Sequence, residues 1–271
     1  MIASELTSVR APRVQAARRL TKRTFRARER RFLAEGPQAV REALAAPGRV
    51  LEMFATRDAV DRHGDLVTAA TSTGVEVQLV SGEVMSAMCQ TVTPQGVVAV
   101  CGFVDVPLDE ALAARPRLVA VLADARDPGN AGTVVRTADA AGADAVILAG
   151  ASVDPYNGKC VRASAGSIFH LPMTVDVEVA ATLHALRAAG LRVLAADGNG
   201  TDDLDQASDD GRLDGPTAWV FGNEAWGLPE ATRSLADDVL RVPIHGRAES
   251  LNLATAAAVC LYASARAQRR A

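Results

Sequence analysis

From Leu118 to the C-terminus the sequence alternates short, nearly all-apolar runs with helix-length amphipathic stretches, and this rhythm constrains the fold more than any other feature. The apolar runs are LVAVLAD (118–124), AVILA (145–149), LRVLAA (191–196), TAWVFG (217–222) and VLRVP (239–243). Between them the pattern predicts helices from about Asn130 to Ala141, near Val179–Ala189 and briefly after Pro229. A long amphipathic helix follows from about Ser250 to Gln268. Strands without polar alternation are buried on both faces, which requires helices on both sides of a mainly parallel sheet. Residues 118–271 are therefore read as an α/β domain whose ligand lies beyond the carboxyl ends of the strands.

The first 105 residues have a different rhythm. Residues 1–31 carry ten basic side chains against Glu5 and Glu29, a local charge of +8, whereas the whole chain is −3. Such a basic helical arm can neutralise phosphates although the protein as a whole is slightly acidic. A solvated helix face is the alternative reading of the same charges. A helix around Gly36–Ala46 and β-like runs at Val50–Thr56, Val75–Val80 and Val97–Val104 then suggest a smaller α/β domain over 1–105. The stretch VPLDEALAARPR (106–117), with proline near each end, reads as a linker or interdomain helix. The Asp- and Gly-rich tract TDDLDQASDDGRLDG (201–215) reads as a solvated surface loop.

Composition excludes several classes. An apolar content of 49% with 23% charged residues is that of a soluble globular protein. No stretch approaches the roughly 18–20 apolar residues of a membrane span, and the N-terminus lacks an apolar signal core. A cytoplasmic protein with no membrane partner is expected. Cys89, Cys101, Cys160 and Cys260 have no paired spacing and are expected reduced and mostly buried. The four histidines are scattered, so no metal site is expected.

Three segments place polar groups directly after strands. In DARDPGNAGTVVRTADAAGADAVIL (124–148) a strand ends at Asp124, a Pro-Gly turn follows, and Asn130 is positioned to cap the next helix. Arg136 falls on that helix among Val134, Val135 and Ala138, a costly setting for an unpaired charge unless it pairs with Asp139. In WVFGNEAWGLPEA (219–231) Glu224 lies in a glycine-flanked loop, either facing a ligand or serving as a turn residue, with Trp226 possible core. In VPIHGRAESLNLATAAAVCLYASAR (242–266) Ser250 can cap the final helix, which ordinary capping explains, but Asn252 just inside the helix is a mediocre choice there.

In this order and spacing the three segments resemble the signature motifs of the SpoU/TrmH family of RNA ribose 2′-O-methyltransferases, in the SPOUT superfamily, over about Leu118–Arg266. The intervening VRASAGSIFHLP (161–172) resembles that family too, and RFLAEGPQAVREAL (31–44) resembles the start of its auxiliary RNA-binding domain, itself similar to ribosomal protein L30e. The resemblance implies a C-terminal deep trefoil knot and a homodimer, with each active site completed near the subunit interface. It also implies S-adenosylmethionine held mostly by backbone at Gly222, Val242, Ile244 and Leu251, with no metal. Asn130, Arg136, Glu224, Ser250 and Asn252 become the catalytic set. Arg136 would bind the adjacent phosphate and stabilise developing alkoxide charge, because its pKa, above about 12, makes it an awkward base. The base itself stays open.

The implied substrate is structured RNA, contacted by Arg18, Arg19, Lys22, Arg23 and Arg26. 23S ribosomal RNA is favoured over transfer RNA, since an L30e-like domain behind a basic arm suits folded RNA recognised by shape. A catalytically silent RNA-binding relative and a nucleotide-dependent oxidoreductase are the competing classes. The first conflicts with the intact motifs, the second with DPGNAG, which is not a GxGxxG fingerprint. The apolar stripe Leu251, Ala254, Ala258, Leu261, Tyr262 fits core packing or a dimer interface.

Overall fold

A computed structural model describes residues 2–270. The chain divides into two compact units, Met1–Val104 with Tyr156–His170, and Asp105–Pro155 with Leu171–Ala271. The first unit is built on a mixed sheet of β1 (Ile2–Leu6), β2 (Arg31–Glu35), β3 (Val50–Ala55), β4 (Val77–Val80) and β5 (Val97–Gly102), in the order β1-β4-β3-β5-β2. β4 is parallel to β1 and β3, while β5 is antiparallel to β3 and β2.

The basic segment is not a free arm. Ile2–Leu6 is an edge strand, and the helix Pro12–Arg19 buries Val14 and Ala17, with Leu20 just beyond, against Phe54, Met85, Val98 and Val100. Those apolar residues recur every third position, a helical stripe hidden among arginines. Arg13 is held by Glu52, by Glu76 at 2.8 Å and by Gln78 at 3.1 Å.

The domain boundaries also differ from the sequence reading. Residues 156–170, expected within the C-terminal domain, pack into the first unit. There Tyr156 stacks on Phe103 with centroids 3.7 Å apart and accepts a 3.0 Å hydrogen bond from the Val104 amide. Phe32 lies between Tyr156 and Phe169 at 4.8 and 5.8 Å, and Arg162 Nη1 pairs with Glu35 Oε2 at 3.0 Å. An aromatic cluster contributed by segments distant in sequence is invisible to local periodicity. Residues 106–117 are not a linker, since the helix Leu108–Ala113 buries Ala111 in the core of the second unit.

The second unit is a seven-stranded, all-parallel sheet: β6 (Leu118–Ala123), β7 (Ala145–Ala149), β8 (Met173–Val177), β9 (Arg192–Ala196), β10 (Asp202–Asp203), β11 (Thr217–Phe221) and β12 (Asp238–Arg241). Their order is β10-β12-β9-β11-β6-β7-β8. Val119, Val121, Ile147, Val193 and Val220 form one core face with Leu183 and Leu186 of the helix Val179–Ala188. On the final helix, Leu253–Gln268, Ser264 Oγ accepts a buried 2.9 Å hydrogen bond from Trp219 Nε1. The tract read as a solvated loop contains β10 and the helix Leu204–Asp209, whose Leu204 and Ala207 are buried together with Leu213. Three apolar residues among many aspartates were enough to anchor it. All four cysteines are free; Cys101, Cys160 and Cys260 are buried and Cys89 is half-buried. No helix of the described residues is long and apolar enough to cross a membrane.

Candidate active site

In the second unit the carboxyl ends of three adjacent strands, β12, β9 and β11, open into a cavity of about 970 Å³. Its walls are the turns that follow those strands, residues 196–199, 221–227 and 240–244, and the approach to the final helix, 249–253. All of Gly222, Val242, Ile244 and Leu251 line it, so the four positions named for backbone recognition converge from separate loops. The turn after β11 is closed by reciprocal bonds: Asn223 N–H donates to Gly227 O at 3.0 Å, and Gly227 N–H donates to Asn223 O at 2.9 Å. A Cβ on Gly222 would sit 2.5 Å from the Gly227 carbonyl carbon and oxygen, so only glycine permits this approach.

At the rim a chain of hydrogen bonds joins the three motif segments. Asn252 is the N-cap of the final helix, its Oδ1 accepting from the Ala254 amide at 2.9 Å. That orientation leaves Asn252 Nδ2 to donate to Asn130 Oδ1 at 3.1 Å, and so Asn130 Nδ2 to donate to Glu224 Oε1 at 3.1 Å. The Glu224 carboxylate also accepts from the Arg126 and Asp127 amides at 3.3 and 3.4 Å. One cap thus sets the direction of the whole relay.

Several expected placements are corrected here. Asp127, not Asn130, caps the helix Pro128–Ala141, accepting from Asn130 N–H at 2.8 Å. That frees the Asn130 side chain for the relay. Asn252, not Ser250, caps the final helix; Ser250 is exposed on the cavity wall. Trp226 is 59% exposed rather than core. Arg136 is also exposed, because a rotation of about 100° per residue turns Val134, Val135 and Ala138 inward and Arg136 out. Among the described residues it forms neither a hydrogen bond nor an ion pair, with Asp139 or any other group, and it does not line the cavity.

A family model described as the SpoU rRNA Methylase family matches residues 117–262, the strands and turns that build this cavity. The chain belongs to the SpoU rRNA methylase family. A second model, an MRM3-like substrate binding domain, matches residues 11–99. Among relatives of this SpoU methylase, the 23S rRNA (guanosine(2553)-2′-O)-methyltransferase RlmP of Bacillus subtilis is 34% identical over 95% of this chain and 98% of its own. The AdoMet-bound rRNA methyltransferase structure from Sinorhizobium meliloti superposes with a TM-score of 0.84 at 32% identity, covering 98% of each chain. The SpoU methyltransferase AviRb from Streptomyces viridochromogenes, solved with AdoMet, gives 0.81 at 31% identity over 96% of this chain and 100% of that one.

In the unit that holds the substrate-binding match, the basic residues divide sharply. Arg13, Arg41, Arg57 and Arg162 are each paired with a carboxylate. Arg19, Lys22 and Arg23 are exposed and Arg18 half-buried, with no acidic partner among the described residues. Arg19 and Arg28 flank the Phe25 ring at 5.8 and 4.8 Å. Arg26 departs from expectation: it is only 3% exposed, and its Nη1 donates to the Leu20 and Thr21 carbonyls at 2.9 Å. It closes the turn between two helices. Among the described residues no cluster of His, Cys, Asp or Glu is disposed to hold a metal.

Sequence reasoning missed Asp197 and Asn199, which line the cavity just after β9. The signal was available, because Asp197 directly follows the apolar run LRVLAA, the same placement that drew attention to Glu224.

Proposed function

We propose that this chain transfers the methyl group of S-adenosylmethionine to a ribose 2′-hydroxyl of 23S ribosomal RNA. The observation that carries the reading is the relay Glu224–Asn130–Asn252 at the rim of a cavity that the strands β12, β9 and β11 open into. The residues fit the cofactor: Gly222 lets the turn after β11 close tightly on the cavity, and Ile244 and Leu251 supply apolar wall. When bound, S-adenosylmethionine supplies a sulfonium-activated methyl group. The chain's own residues have to orient the acceptor hydroxyl, exclude water and stabilise charge as the hydroxyl proton leaves. Asn130, Glu224, Ser250 and Asn252 form the polar rim that orients the acceptor, and Gly222, Val242, Ile244 and Leu251 hold the cofactor through backbone. Arg136 binds the phosphate beside the target ribose and stabilises alkoxide charge.

Arg136 is exposed and does not line its own chain's cavity, and it lies on the helix against which the final helix packs. Val259 and Tyr262 of that final helix are exposed, and Tyr262 Oη donates to Ala140 O at 3.3 Å. This favours a homodimer in which a second copy covers that face and each cavity receives the other's Arg136. Tyr262 of the helical stripe belongs to this contact, while Leu251 lines the cavity and Ala254 and Leu261 are core. Two features support a deep trefoil knot in the chain beyond β11: β12 inserts between β9 and β10, and the final helix returns to pack on the helix Pro128–Ala141. Residues of the first unit, led by Arg18, Arg19, Lys22 and Arg23, dock the RNA, and the enzyme works in the cytoplasm without metal or membrane.

The test is transfer of radiolabelled methyl groups from S-adenosylmethionine to transcribed 23S rRNA, with transfer RNA as the alternative substrate, followed by mapping of the 2′-O-methyl position. Arg136→Ala should abolish transfer while calorimetric binding of the cofactor persists. Wild-type turnover in that variant would remove Arg136 from the mechanism.

A further inference from the structure

We infer that Asp197 is a cofactor-positioning residue whose carboxylate accepts the ribose hydroxyls of the bound nucleoside, an inference that rests on the cofactor reading above. Asp197 immediately follows β9, and its backbone is fixed by a 3.0 Å bond from its amide to Leu240 O on the neighbouring β12. Three carboxylates line the cavity, Asp197, Glu224 and Glu249. Glu224 and Glu249 are exposed, whereas the Asp197 side chain is only 4% exposed. A buried carboxylate is stable only when its lone pairs are met.

Oδ1 is satisfied, accepting from Asn199 N–H at 2.9 Å and from Asn199 Nδ2 at 3.1 Å. Oδ2 is not. Its partner is Arg233 Nη1 at 3.6 Å, beyond hydrogen-bond range, and Arg233 is engaged more closely by Glu230 at 2.5 Å. The guanidinium therefore supplies countercharge and only a long, weak contact to Oδ2. A carboxylate oxygen on a cavity wall, lacking a close donor, is matched by a ligand that brings O–H or N–H groups.

S-adenosylmethionine brings three kinds, a ribose diol, an α-ammonium and the adenine 6-amino group. The diol is the better match. It presents neighbouring neutral donors to one carboxylate, and Arg233 already provides the positive charge that an ammonium would duplicate. A carboxylate after a strand of a parallel sheet is also where sugar hydroxyls are bound in other nucleotide sites.

The experiment uses the full chain and isothermal calorimetry with three probes: S-adenosylhomocysteine, 5′-methylthioadenosine, which has the sugar but no amino acid, and 2′,3′-dideoxy-methylthioadenosine. Asp197→Asn keeps an oxygen for Asn199 and loses the second acceptor. It should weaken the first two probes by one common factor of about ten to a hundred, the loss of a charge-assisted hydrogen bond. The dideoxy probe should bind wild type and variant alike. Arg233→Gln separates positioning from fold: it removes the countercharge but should preserve the preference of the protein for the diol. If Asp197→Asn weakens only S-adenosylhomocysteine, the carboxylate serves the ammonium and the inference is overturned. Equal loss for all three probes would assign Asp197 to the adenine they share or to a structural role, and overturn it as well. Failure of the wild-type protein to bind any probe would instead sink the cofactor reading itself.

Discussion

The direction of the rim relay makes Asn252 the most informative position to perturb. It performs two separable tasks, capping the final helix through Oδ1 and donating to Asn130 through Nδ2. Alanine removes both, at about 1 kcal/mol for the cap and about 1 kcal/mol for the bridging bond. Aspartate keeps the cap, and at the N-terminus of a 16-residue helix its charge adds about 0.3–1 kcal/mol of favourable dipole interaction. It cannot donate, however. Either Asn130 Oδ1 then faces a carboxylate, or Asn130 turns its amide over and presents Oδ1 to Glu224. Both arrangements set acceptor against acceptor: the first opens the Asn252–Asn130 link and leaves the Asn130 Nδ2–Glu224 bond in place, the second opens the Asn130–Glu224 link, so the relay is broken at one end whichever way the amide lies. Urea denaturation should therefore place Asn252→Asp within about 0.5 kcal/mol of wild type and Asn252→Ala about 1–2 kcal/mol below it. Methyl transfer to 23S rRNA should fall in both, by about tenfold or more in kcat/KM for Asn252→Asp, equivalent to about 1.4 kcal/mol. A stable Asn252→Asp variant with wild-type kcat/KM would refute the argument that this cap orients the site.

Two further outcomes follow from the same contacts. Ser264→Ala leaves the Trp219 indole N–H without its acceptor in a fully buried position, so the urea midpoint should drop by the equivalent of about 1–3 kcal/mol while kcat/KM of the folded enzyme is unchanged; an unaltered midpoint would show that the bond contributes nothing. Arg26→Ala should cost about 3 kcal/mol of stability, with little effect on the salt dependence of RNA binding. Each of Arg19→Ala, Lys22→Ala and Arg23→Ala should do the reverse, lowering the slope of log affinity against log salt by about 0.7–0.9 in filter binding. If all four variants behave alike, the division of this segment into structural and RNA-facing cations is wrong.

Local chemistry carried much of this protein's description. The nearly all-apolar runs at 118–124, 145–149 and 217–222 call for a sheet covered on both faces, because strands of that composition are buried on both sides. Motif order brought Asn130, Glu224 and Asn252 into one hypothesis before any contact was known. What local pattern could not decide was the partner of each polar group. Capping by Asp127 rather than Asn130, the burial of Arg26 against two carbonyls and the outward turn of Arg136 depend on which surface of a helix meets the core. That is settled by contacts between residues about a hundred positions apart, such as Asn130 with Glu224 and with Asn252. The packing of 156–170 into the first unit is of the same kind, since Tyr156 and Phe103 find each other through burial and not through sequence proximity. The three segments identified the family by their order; a relay of two amides and a carboxylate, closed only when β11 and the final helix pack beside the first turn, makes them one site.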